Sequence, residues 1–354
     1  MDKISFHLEK QVARFINPLK NNKLDSQEIE VRYDPLLGHQ SVLNRDLKDK
    51  ASILFPDTDK DYLLEVVKES EAHCFLCSGR WKDTTPRYPD ELIPGGRLIK
   101  GEVVLFPNLF PLFEYHPVVM LGEKHYRDLN DFSASLLADA LTVCLEFIER
   151  CFRNDPSAKY FTINANYLFP AGSSVVHPHL QIIGGPVPVT HQKDLIERSS
   201  SYHESNGSVY WNDLIEKEKK IGRRWIGELK GGCLITSFSP IGQNEVQIIW
   251  PSKRHFLEWD DGDVKFAAVG ISNVLNVYHS MNFSTFNFSI FSGSLDGSDD
   301  SFRCMMRIIT RQNVVPNHRT DDYYFQKLLR DEIILVPPEK LAEKIRVALA
   351  KSLK

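Results

Sequence analysis

Chemistry concentrates in the run His177-Pro178-His179-Leu180-Gln181. Side chains two apart in a strand share a face, so an extended run sets His177, His179 and Gln181 side by side. Three polar side chains on one face of an apolar strand are costly unless that face lines a site. Neutral imidazole attacks phosphorus well near pH 7 and leaves again readily. His179 is therefore the candidate nucleophile, and the Gln181 amide is placed to donate to a phosphoryl oxygen. The preceding loop, Pro170-Ala171-Gly172-Ser173-Ser174, is built of small residues. Its backbone amides around Gly172 and its hydroxyls, Ser174 among them, suit phosphate oxygens. The competing reading, two satisfied surface histidines, leaves both the loop and Gln181 unexplained.

The six cysteines are Cys74, Cys77, Cys144, Cys151, Cys233 and Cys304. In a reducing compartment Cys74-x-x-Cys77 reads as a zinc or redox pair sooner than a disulfide. A closed tetrahedral site needs two further donors. His125, between a strand and a helix, is one candidate and His177 the other. Two thiolates and two imidazoles suit zinc. Such a centre would hold His177 and so place His179.

Hydrophobic periodicity supplies the supporting elements. Ile4, Leu8, Val12, Phe15 and Ile16 have helical spacing, which predicts a helix over 4–20. An extended segment over 29–43 is broken by Pro35-Leu36-Leu37-Gly38, and a short helix follows over 61–71. Strands are expected at 103–106 and 118–121. The clearest helix covers 131–153, with Cys144 and Cys151 on its apolar face and Asp155-Pro156 ending it. Strands follow at 161–164 and 180–183, then a polar, partly helical stretch over 190–222. The order recurs: strands at 233–237 and 245–250, a helix over 262–281, strands at 286–291 and 303–309. A strand at 333–336 and a helix from Glu339 close the chain. A strand–strand–helix–strand–strand unit thus occurs twice, the mark of an internal duplication.

Length and composition bound the class. A chain of 354 residues with 42% hydrophobic and 25% charged residues buries an ample core as two domains or one large α/β unit. Its 43 Lys plus Arg against 47 Asp plus Glu give a net charge of -4, which speaks against a nucleic-acid-coating surface. The start Met1-Asp2-Lys3-Ile4-Ser5 has no basic region leading into an apolar run, and no stretch approaches 18 apolar residues. A cytoplasmic protein that does not enter the membrane is expected.

The His-Pro-His-x-Gln run, with Gly172-Ser173-Ser174 before it and Cys74-x-x-Cys77 upstream, resembles the galactose-1-phosphate uridylyltransferase-like family of the histidine-triad superfamily. The resemblance runs from about residue 31 to 347. It implies an α+β fold of two histidine-triad-like half-barrels, antiparallel sheets with flanking helices. Residues 1–190 would form the catalytic half and 191–354 a degenerate one. In that family the first histidine of the run binds zinc and the second carries the nucleotide. This assigns His177 to the metal with Cys74, Cys77 and His125, and His179 to the covalent intermediate.

Further positions are similar. Arg32-Tyr33-Asp34-Pro35-Leu36-Leu37-Gly38 looks like the family's opening motif, and Arg45 and Lys48 resemble its paired phosphate-binding arginines. Phe106-Pro107-Asn108-Leu109-Phe110-Pro111 resembles the nucleoside-binding stretch, with Asn108 at the ribose. Asn166 matches a site asparagine, Ser174 a phosphate-contacting serine, and Glu332 the carboxylate that meets sugar hydroxyls. The chain also departs from the family. Leu109 stands where uridylyltransferases commonly carry Asp and adenylyl-type relatives Leu. Ser301-Phe302-Arg303-Cys304-Met305-Met306-Arg307 lacks the histidines of a second metal site. Leu180 replaces a glycine, as in dinucleoside tetraphosphate phosphorylases.

The resemblance implies a zinc-containing, homodimeric nucleotidyltransferase acting on a nucleotide sugar and a hexose 1-phosphate. The alternatives are a nucleotide-sugar or dinucleoside-polyphosphate phosphorylase and a non-catalytic, zinc-stabilised nucleotide-binding protein.

Overall fold

The computed structural model describes residues 3–317 and 319–352. It opens on a long hairpin. Strand β1 (Leu8–Asn17) pairs antiparallel with β2 (Lys23–Tyr33) over ten positions, from Leu8↔Arg32 to Asn17↔Lys23. The expected helix over 4–20 is therefore a strand. The spacing Leu8, Val12, Ile16 fits a period of two as well as one near four, and Val12, Phe15 and Ile16 are strand formers. The turn decides the matter. Asn17 accepts the Leu19 amide at 2.9 Å, and Asn21 and Asn22 adopt the left-handed conformation that asparagine tolerates. The chain then turns at Asp34, whose Oδ1 accepts from the amides of Leu36 and Leu37, and returns as β3 (Gln40–Asn44) beside β2.

After helix α1 (Lys60–His73), capped by Asp59, come β4 (Leu98–Lys100), β5 (Val103–Pro107) and β6 (Pro117–Leu121). Helix α2 (Ala134–Asn154) starts at Ser133, whose hydroxyl caps the Leu136 amide. Strands β7 (Tyr160–Tyr167) and β8 (His179–Gly185) complete the unit. The polar stretch forms α3 (Thr190–Asn206) and α4 (Tyr210–Ile221). The second unit repeats the order: β9 (Trp225–Leu229), β10 (Gly232–Thr236), β11 (Val246–Ile249), α5 (Asp261–Ser280), β12 (Phe286–Phe291) and β13 (Met305–Thr310). The short β14 (Glu332–Ile333) pairs parallel with β3, and α6 (Pro338–Ser352) follows.

Both units share one ten-stranded sheet, in the order β4-β5-β6-β8-β7-β12-β13-β11-β10-β9, antiparallel throughout. Read outward from the centre, each half has the same strand order. The halves meet where β7 and β12 pair through Asn164↔Ser289. Helices α2 and α5 cover one face of the sheet, and their apolar residues join Ile163, Ala165, Ile182, Phe288 and Ile308 in a common core. On the opposite face the halves differ. In the second half, Tyr210, Trp211 and Leu214 of α4 bury Cys233, Ile235, Phe291 and Met305. In the first half that face carries Asn164, Asn166 and Gln181, all left partly or fully exposed. Strand alternation thus delivers the polar residues of β7 and β8 to a face the helices do not cover.

Candidate active site and metal centre

Cys74 closes helix α1, Cys77 follows one turn later, His125 lies in the loop after β6 and His177 just ahead of β8. The fold brings all four together, buried, with their donor atoms within 4.8 Å of one another. Cys77 Sγ lies 3.2 Å from His125 Nδ1 and 3.4 Å from His177 Nδ1, and Cys74 Sγ lies 3.6 Å from His177 Nδ1. A tetrahedral zinc with ordinary Zn–S and Zn–N bonds sets sulfur and nitrogen about 3.5 Å apart.

The surroundings orient the donors inward. His177 Nε2 donates to the Gly122 carbonyl at 2.7 Å, which leaves Nδ1 as a lone pair toward the cysteines. Ser70 Oγ donates to the Val67 carbonyl and so accepts from His125 Nε2 at 2.9 Å, with the same consequence for His125. Burial holds His177 down at about 4, so the imidazole is neutral, and pushes the Cys77 thiol up to about 12. The Cys77 thiol becomes a thiolate readily only beside a cation.

His177 lies on the face that His179 and Gln181 occupy, because the cysteine cluster packs on Met120 and Val118, their cross-strand partners. His177 precedes β8 and turns into that cluster. On the same face Gln181 Nε2 lies 3.4 Å from His179 Nε2. His179 Nδ1 donates to the His177 carbonyl at 2.9 Å. The lone pair then sits on Nε2, the outer nitrogen, and burial keeps the ring below the ordinary histidine range. The metal-ligand candidate and the nucleophile candidate are linked by this single bond.

Other expected residues gather around this centre to different degrees. Extending the β7–β8 register by one pair sets Asn166 across from His179. Asn287 donates both to Asn166 Oδ1 at 2.7 Å and to the carbonyl of Ala171, next to Gly172, at 2.9 Å. Gly172 adopts φ +89 with open space on its Cβ side, and Ser174 is exposed on the same loop. His116 Nε2 lies 2.9 Å from Gln181 Oε1, and Asn108 Nδ2 packs 3.3 Å from the same nitrogen.

Arg45 and Glu332 lie apart from this cluster. Arg45 pairs with Glu30 at 3.2 Å on the rim of a cavity of about 830 Å³ that also has Arg223, Lys340 and Arg346 in its wall. Glu332 lines a second cavity, of about 200 Å³, with Arg311, Arg319 and Tyr323. Burial raises its carboxyl to about 7. His179 lines neither. Lys48 falls in the short turn Arg45–Lys50, and its side chain lies outside the described residues.

His116, Asn164, Asn287 and Ser289 are site neighbours that sequence reading missed. Ser289 donates to Asn164 Oδ1 at 2.8 Å across the junction of the halves. No motif marks them, because each acts through a register fixed only in the assembled sheet. The second half holds no copy of the site. The registers Asn164↔Gln181 and Ser289↔Arg307 put Met305 where His179 stands and Arg307 where Gln181 stands. Met305 is fully buried, and Arg307 is ion-paired with Glu245 at 2.5 Å.

Against known proteins, the chain is similar to an uncharacterized protein of Archaeoglobus fulgidus, with 32% identity over 346 residues, spanning 97% of this chain and 98% of the relative. The chain belongs to that protein's family. No family model matches it. Among solved structures, it is similar to an ADP-glucose phosphorylase from Arabidopsis thaliana with bound ADP-glucose. The TM-score is 0.67 at 19% identity, covering 90% of this chain and 98% of that one. A uridylyltransferase mutant superposes with a TM-score of 0.65 at 18% identity, over 91% of this chain and 99% of that one. The chain thus shares the fold of these two proteins, two α+β halves with antiparallel strands and flanking helices. Among the described residues, no helix of this fold is long and apolar enough to cross a membrane.

Proposed function

We propose that this protein is a nucleotidyltransferase that passes a nucleoside monophosphate from a nucleotide sugar to a hexose 1-phosphate through His179. The observation that carries the reading is the state of His179: Nδ1–H tied to the His177 carbonyl, and the Nε2 lone pair turned to the uncovered polar face. Nε2 attacks the α-phosphorus, a P–N bond forms, and the P–O bond to the sugar 1-phosphate breaks. The ring becomes cationic, and the His177 carbonyl stabilises the charge on Nδ1–H. An oxygen of the acceptor then attacks the same phosphorus, and Nε2 leaves. Gln181, the amides around Gly172 and the Ser174 hydroxyl are placed to donate to the non-bridging oxygens. Asn108 and Asn166 flank the site for the nucleoside.

Cys74, Cys77, His125 and His177 are the residues that would hold a zinc ion. Its chemistry is structural, converting two buried thiols to bound thiolates and fixing His177. Arg45 and Glu332 lie apart from His179 in this chain. We assign them to the site of a partner subunit in a homodimer, where they would meet the second phosphate and the sugar.

A phosphorylase is the second reading, with inorganic phosphate as acceptor. Leu180 in the His-Pro-His-Leu-Gln run supports it, as does the likeness of fold to an ADP-glucose phosphorylase, and Leu109 beside Asn108 speaks for an adenine base. The test is intact mass at neutral pH after mixing with nucleotide sugars and dinucleoside polyphosphates. A gain of one nucleoside monophosphate, absent in His179→Ala, is expected, and its mass names the base. Adding phosphate or hexose 1-phosphate separately then shows which acceptor discharges it. No adduct with any donor would leave the zinc-stabilised binding protein as the better reading.

A further inference from the structure

We propose that His116 is a positioning residue for the transfer reaction, fixing the Gln181 amide so that its NH2 group faces His179 and the reacting phosphorus. The inference rests on His179 being the nucleophile. His116 is buried two residues from the cross-strand partner of Gln181, at the mouth of β6. Its Nδ1 lies 2.9 Å from the backbone nitrogen of Leu112. A backbone N–H only donates, so Nδ1 carries no proton and Nε2 of the neutral ring must. Nε2–H donates to Gln181 Oε1 at 2.9 Å. With the amide oxygen so engaged, the amide nitrogen turns the other way, to 3.4 Å from His179 Nε2. Amide protons only donate, so His179 Nε2 must present its lone pair. This agrees with the independent bond from His179 Nδ1 to the His177 carbonyl.

Four bonds therefore run in one direction, from the Leu112 amide through His116 and Gln181 to His179, and on to the carbonyl of His177. Each fixes the donor sense of the next. Asn108 Nδ2, 3.3 Å from the same His116 Nε2, faces a donor and makes only a packing contact. Were Gln181 free to flip, its oxygen would face the Nε2 lone pair and later the phosphoryl oxygens, repelling both. With His116 in place, the N–H shifts from His179 to a non-bridging oxygen as the P–N bond forms. His116 itself touches neither nucleotide nor phosphorus.

The second half supports the assignment. The registers Val118↔Gln181 and Gln247↔Arg307 place Glu245 where His116 stands. Glu245 Oε1 accepts from Arg307 Nη1, just as Gln181 is engaged by His116. In both halves the residue two before the paired strand position orients the side chain across from it. The sense is reversed because the oriented side chain is a donor in one half and offers its acceptor in the other.

The test is 15N-edited spectroscopy of the histidine rings and the Gln181 side-chain amide in the full-length, metal-loaded protein, together with adduct kinetics. The wild type is expected to show His116 protonated on Nε2 and His179 protonated on Nδ1. In His116→Phe, His179 should keep its Nδ1 proton, held by the His177 carbonyl, while the Gln181 side-chain amide signals should lose their single ordered orientation. Turnover should fall on the order of 10- to 100-fold while KM for the donor stays within about twofold. His116→Gln keeps an N–H able to reach Gln181 Oε1 and should recover most of the rate, which a filler of space would not. Wild-type His116 carrying its proton on Nδ1 would overturn the proposal without any variant. So would His116→Phe with unchanged Gln181 amide signals and an unchanged rate. A wild type that forms no adduct would instead defeat the nucleotidyl-histidine reading, and the His116 tautomer and the Gln181 amide signals alone would then decide whether His116 orders Gln181.

Discussion

Replacing Cys77 by Ser tests the proposed metal centre most directly. Cys77 is buried and sits within 3.4 Å of both histidine donors, closer to the pair than Cys74 is. Serine removes the thiolate and leaves three buried donors around a hole. If zinc affinity drops by about 10³, the stabilisation lost at fixed free zinc is about 4 kcal/mol. Unfolding a chain of 354 residues carries an entropy of about 0.7 kcal/mol/K, so the midpoint should fall by about 5–6 °C. The assay pairs metal content by mass spectrometry with calorimetry at several free zinc concentrations. The wild-type midpoint should rise with zinc and fall with chelator, and the variant's should do neither. Stoichiometric zinc in Cys77→Ser, with an unchanged midpoint, would refute the four-donor assignment.

Other outcomes follow from the same coordinates. His125→Ala should likewise lose metal, and retention there would point to a different fourth donor. Glu245→Gln removes the nearer of the two carboxylates of the buried Arg307, leaving Asp34 at 3.8 Å, and should destabilise by up to about 3 kcal/mol, read as a lower denaturant midpoint. A Cβ added at Gly184 would overlap the buried Phe161 ring, so Gly184→Ala should cost about 1–3 kcal/mol, and Phe161→Leu should relieve much of it. Glu332 is held near 7, above its value in the unfolded chain, because burial disfavours its charged form. The sign is therefore fixed: its contribution is most favourable below about pH 4.5 and is lost as pH rises through 7. Glu332→Gln should gain stability over the wild type across that window, by up to about 3 kcal/mol. A difference in midpoint that does not change with pH would rule out a buried, titrating Glu332.

The sequence by itself determined which residues are candidates for the chemistry of the centre. His177-Pro178-His179-Leu180-Gln181 and Cys74-x-x-Cys77 name candidate donors and a candidate nucleophile by residue type and local spacing, and the two helix-bearing repeats follow from hydrophobic period. These signals are local, so they survive without a fold. The first strand was not legible. A four-residue spacing of apolar residues serves either period, and only the ten-pair ladder with β2 chose between them. Nor could spacing reveal that β8 begins only at His179, so that His177 reaches Cys74 and Cys77 from just ahead of the strand.

Tertiary structure alone decided which residues meet. Cross-strand registers place His116 on Gln181, Asn287 on Asn166 and Ser289 on Asn164, over separations of 65, 121 and 125 residues. The same registers fill the second half's site with Met305 and Arg307. They leave Arg45 and Glu332 on other cavities of the chain. Register is a property of the assembled sheet, set by which faces are buried, and no single strand carries it.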